Sequence, residues 1–165
     1  MTTADRRGSG IAALTVTLMA GLVAVASVLA ACSSVAPIPD RSEASAFVEH
    51  LYPLAEQGEF DALCAAGGGN CEAVLADAGE DAVPSVRPNI VDTFELPTHD
   101  TGDGTMRGGL VVVVCGVDAR DRSFRTEMLV FRDGNQLRVI EPVYWSGMGV
   151  ATSTVTNSKP QSESC

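Results

Sequence analysis

Apolar and polar positions follow three successive rhythms along the chain. From Ile11 to Ala31 no residue is charged, and Leu, Val, Ile and Ala recur without a period. From Asp40 the apolar residues fall at helical spacing, with Ala44, Phe47, Val48, Leu51, Leu54 and Ala55 in one stripe. Asp40 and Glu43 have the form of a capping box, in which each side chain satisfies an orphan backbone N–H, and Gly58 is a natural stop. The stripe therefore predicts a helix laid against an apolar layer. A short second helix is expected over Glu59–Cys64. A third is expected to start at Asn70, with Cys71, Val74, Leu75 and Ala78 sharing a face.

After Pro88 the rhythm shortens to two. Ile90–Leu96 reads as a strand bounded by Pro88 and Pro97, and Gly109–Val117 contains the β-branched run Val111 to Val114, suited to a strand covered on both faces. Asp118 to Arg122 supplies a turn, Ser123–Arg132 alternates, and Asp133-Gly134-Asn135 is a hairpin signal before a last strand over Leu137–Trp145. Pro142 within that strand points to an edge or a bulge. In Ser123–Arg132, Arg125, Glu127 and Leu129 share one face and Phe124, Thr126, Met128 and Val130 the other; the pattern leaves the inward side open. Helices followed by an antiparallel meander make an α+β chain, with N-terminal helices packed on a curved antiparallel sheet of about four strands.

The uncharged run has its own meaning. Arg6 and Arg7 precede it, giving a basic n-region and an apolar h-region, although the run is also long enough to cross a bilayer. Its end, Leu29-Ala30-Ala31-Cys32, resembles the lipobox of bacterial lipoprotein precursors, and the resemblance is closest to small actinobacterial lipoproteins. It implies a leader over 1–31, diacylglycerol on the Cys32 thiol, a tether over 32–41 and display on the extracytoplasmic face of the cell membrane. Two acyl chains hold a protein far more firmly than one. Arg6-Arg7 also invites comparison with twin-arginine leaders, so the export route stays open.

Loss of the leader removes Asp5, Arg6 and Arg7, leaving 20 acidic against 9 basic side chains. That balance argues against nucleic acid as a partner and offers no polybasic patch for acidic lipid. The folded region is expected over 42–149, with a polar tail over 150–165. Export favours disulfides, and four cysteines remain. Cys64 and Cys71 flank a glycine-rich turn and are the favoured pair; Cys115 either packs as a small hydrophobe or captures Cys165. No cofactor is expected, and no metal: the two histidines, His50 and His99, lack ligand spacing with any cysteine, and the loop from His99 to Gly104 lacks the twelve-residue calcium pattern.

The order of elements, the step Gly58-Glu59-Phe60-Asp61 and the ending Val143-Tyr144-Trp145 are similar to the NTF2-like, or cystatin-like cone, fold. The resemblance implies a pocket between the first helix and the sheet, for which Phe47, Leu51, Asp92, Phe94, Tyr144 and Trp145 are the candidate lining. Catalytic members place an acid deep in the cone, and Asp92, Glu95, Glu127 and Glu141 are the strand carboxylates available, with Arg107, Arg125, Arg138 and Tyr144 as companions. No catalytic residue is assigned, because charges on strands more often pair on a solvated face. The expected function is a non-catalytic envelope lipoprotein binding a small apolar ligand or a protein, with homodimerisation among its expected associations. The alternatives are an isomerase or dehydratase using a buried Asp, and a purely structural dimerising scaffold.

Overall fold

The computed structural model describes residues 37–68, 70–100, 104–150 and 165. Residues 1–36, on which the expected leader and Cys32 fall, lie outside the described residues, as do Gly69, 101–103 and 151–164. The architecture is α+β: three helices, α1 (Arg41–Glu56), α2 (Phe60–Ala66) and α3 (Cys71–Ala78), lie on a curved, open antiparallel sheet. Its strands are β1 (Asn89–Leu96), β4 (Gly109–Val117), β5 (Ser123–Asp133) and β6 (Gln136–Ile140), in the order β1-β4-β5-β6. The loop after β1 is itself a small ribbon of β2 (His99–Asp100) and β3 (Thr105–Met106).

The capping box forms as the sequence predicts. The Asp40 carboxylate accepts from the Glu43 N–H at 2.8 Å, and Glu43 accepts from the Asp40 N–H at 3.1 Å. Ala44, Val48, Leu51, Tyr52 and Ala55 form the buried stripe, and Gly58 at φ +71° turns the chain towards α2. The second helix starts and ends later than expected, at Phe60 and Ala66, and Asn70 stands at the N-cap of α3 without a side-chain capping bond.

Both ends of α1 are fastened to the sheet half of the chain. Glu43 pairs with Arg132 at the end of β5, and Glu56 takes two bonds from Arg87, at 2.6 and 2.9 Å, just ahead of β1. These partly exposed pairs are individually weak, and they stand at the two ends of the helix. Arg87 also offsets the poor placement of Glu56 at a helix C-terminus and holds its carboxyl below the usual range.

Strand register settles which side of β5 faces inward. Leu110, Val112 and Val114 of β4, Phe124, Met128 and Val130 of β5, and Val139 of β6 join the helices in one core. The opposite face carries Leu96, Val111, Val113 and Leu129 in a second cluster, joined by Phe94, Met106 and Val150. Thus β4 is covered on both faces, as its β-branched run predicts. Gly109 permits this closeness, since a side chain there would collide with the Val130 carbonyl oxygen.

The last strand ends sooner than the apolar pattern suggests. It stops at Ile140, because Glu141 adopts φ +70° and Pro142 has no N–H to give. The chain then feeds Val143, Tyr144 and Trp145 into the helix-side core. It returns along the free half of β5, where the Gly147 N–H donates to Thr126 Oγ1 and the Glu127 N–H to the Met148 carbonyl, both at 3.0 Å. Val150 thereby reaches the far face. Two disulfides close the described structure, Cys64–Cys71 between α2 and α3, and Cys115–Cys165 from β4 to the C-terminal residue.

Candidate functional site

The space where a cone pocket was expected holds side chains. Leu51, Tyr144 and Trp145 are all at most 2% exposed, and Phe47 packs against them from the edge of the same core. The aromatic rings set one another's orientation. Tyr52 meets Tyr144 edge-on at 4.8 Å, Tyr144 meets Trp145 at 4.9 Å, and Phe60 lies 6.4 Å from Trp145. Trp145 Nε1 donates to the Gly79 carbonyl at 3.0 Å, so its one polar atom is satisfied. The Tyr52 hydroxyl is buried without a partner, and burial pushes its pKa up to about 12. Burial likewise pushes the Tyr144 hydroxyl upward, so both remain neutral and neither serves as a base.

Asp92 and Phe94 are not part of this group. They pair in register with Val113 and Val111, which lie on the face away from the helices, so the sheet separates them from Tyr144 and Trp145. The six-residue lining expected from the sequence thus divides into four residues inside the core and two on the outer face. The reason is a bulge between Ile90 and Asp92, which shifts β1 by one position and changes the face on which each later side chain falls.

The other carboxylates are also accounted for. Glu127, on the outer face, pairs with Arg125 at 2.7 Å. Asp92 accepts the Thr93 N–H at 2.7 Å, and Glu95 is exposed. Arg107 pairs with Asp133 at 2.6 Å, and Arg138 donates to the Ala65 carbonyl, tying β6 to α2. Glu141 stands apart, with a left-handed backbone, one buried oxygen lacking a partner and a carboxyl held above its ordinary pKa of 4.5 by burial. Ser146 opposes that shift with a hydrogen bond. Among the described residues no group of three or more His, Cys, Asp or Glu side chains could hold a metal ion, and no helix is long and apolar enough to cross a membrane.

A cavity of about 520 Å³ opens on the outer face instead. Met106, Phe131 and Ile140 supply its apolar lining, and Arg107 with Asp133 stands at its polar side. The hollow is wide open to solvent, a shallow groove and not an enclosing cleft. Met106, Phe131 and Ile140 carry no sequence signal as a group, because they come from three separate elements that only the strand register brings together. No protein-family model, no curated protein and no solved structure matches the chain.

Proposed function

We propose that the protein is an exported lipoprotein, anchored through Cys32 to the extracytoplasmic face of the cell membrane, whose folded region is a non-catalytic binding module of NTF2-like type. The observation that carries the non-catalytic reading is the filled interior: aromatic and aliphatic side chains occupy the volume that a catalytic cone keeps open. The isomerase or dehydratase alternative needs an acid in that volume, and the polar side chains that β5 turns towards the helices are Thr126, whose hydroxyl is engaged by the Gly147 N–H, and Arg132, which is paired with Glu43 at the edge of α1. Binding is therefore assigned to the outer surface, where an apolar hollow with a charged rim is present.

The address rests on Leu29-Ala30-Ala31-Cys32 and the uncharged run before it. An edge-to-edge homodimer is less favoured than a ligand or partner on the sheet face, because β1 is blunted by Pro88, Pro97, a bulge and the acids Asp92 and Glu95. Fractionation of cells expressing wild type and Cys32→Ser tests the anchor. Wild type is expected in the membrane pellet, solubilised by detergent but not by salt, and Cys32→Ser is expected to accumulate as a larger, unprocessed precursor. Identical size and distribution for the two chains would refute it.

A further inference from the structure

The hollow on the outer face lies at the end of the fold where the tether enters. Glu43, in the first turn of α1, pairs with Arg132, and Arg132 sits between Phe131 and Asp133 of the hollow. β4 starts at this end, β5 finishes there and β6 begins there, so the end is defined by three strands as well as by the helix. Cys32 precedes the N-cap Asp40 by eight residues, a span of at most about 29 Å when fully extended. The opposite end, where Arg87 holds Glu56, lies a 16-residue helix further away, about 24 Å at 1.5 Å per residue.

Building on the anchored reading, we propose that the hollow formed by Met106, Phe131 and Ile140 receives an acyl chain of a lipid in the bilayer that holds the protein. Three observations support this occupant. Met106, Phe131 and Ile140 give the hollow an apolar patch beside Gly104 and Thr105, and Ile140 is 37% exposed. The rim is polar, with the exposed Arg107 and Asp133 placed where an acyl chain gives way to its headgroup. The tether joins the fold at this end, so its point of attachment lies nearer to the hollow than to the Val86 end by about the 24 Å length of α1. A net negative domain gains nothing from an anionic lipid surface, so contact must come from the apolar lining.

The test uses the lipidated protein reconstituted in phosphatidylcholine vesicles containing a phosphatidylcholine with a diazirine on its acyl chain. After illumination, labelled residues are mapped by mass spectrometry. The label is expected on the segments containing Met106, Phe131 and Ile140, at least fivefold above the segment around Val86, the most exposed large hydrophobe at the far end. Ile140→Asp and, separately, Met106→Asp are expected to lower that label at least fivefold, and Val86→Asp to leave it unchanged, with circular dichroism confirming that each variant is folded. Label concentrated near Val86, spread evenly, or unaffected by both Asp variants would overturn the assignment. The mass of Cys32 in the same sample reports the anchor separately. If Cys32 is unmodified, coupling its thiol to a maleimide phospholipid recreates the tether, and the same labelling pattern then decides the hollow by itself.

Discussion

At the scale of single residues, Glu141 concentrates two unfavourable terms. A left-handed backbone costs a non-glycine residue about 1–2 kcal/mol, and burial of one carboxyl oxygen disfavours the charged form. The unfolded chain ionises this group near its ordinary 4.5, whereas the folded chain holds the proton to higher pH. Stability is therefore lost as pH rises through that window, the reverse of a salt-bridged acid. Glu141→Asn is expected to raise stability at pH 7 by about 1 kcal/mol through the backbone term, with a further gain that vanishes near pH 3.5. Urea denaturation at the two pH values separates them; a loss of stability at both would mean that Glu141 makes a contact worth more than its strain. Neither term was legible in the sequence, because a positive φ at a glutamate before a proline has no compositional sign.

At the scale of elements, the interior between α1 and the sheet is predicted to have no slack. Leu51→Ala should cost about 2–5 kcal/mol by leaving a cavity, and Val114→Phe about 1–3 kcal/mol by overpacking. Chemical denaturation checks both, and a Val114→Phe chain as stable as wild type would mean that the interior holds spare room after all. The helices and strands themselves were legible because their signals are local: the Asp40/Glu43 cap, the stripe from Ala44 to Ala55 and the Asp133-Gly134 turn each act within a few residues. What was not legible depends on partners far along the chain. The bulge that sends Asp92 and Phe94 to the outer face follows from how β1 meets β4, about twenty residues on, and the hollow needs β3, β5 and β6 together. Charge is divided in the same way. Ser42 to Val86 contains no lysine or arginine, so the helical layer draws its counter-charges from Arg87, Arg120 and Arg132 of the sheet half.

At the scale of the whole molecule, the two disulfides stabilise by unequal amounts. Cys64 and Cys71 are seven residues apart and Cys115 and Cys165 are fifty, so loop-closure entropy assigns about 2–3 kcal/mol to the first and about 4 kcal/mol to the second. Cys115→Ser with Cys165→Ser should accordingly lower stability more than Cys64→Ser with Cys71→Ser, as read by thermal unfolding; the reverse order would show that the helical pair depends on its bridge for packing. The second bridge also fixes Cys165 to the face that carries Val111 and Val113. The proposed anchor and the proposed acyl-chain site share one premise, the fate of Cys32. The most direct measurement is the intact mass of the protein extracted from membranes with detergent. The expected product is a chain that begins at Cys32, carries diacylglycerol on its thiol and retains both disulfides. A chain that still begins at or near Met1 with an unmodified Cys32 would contradict it.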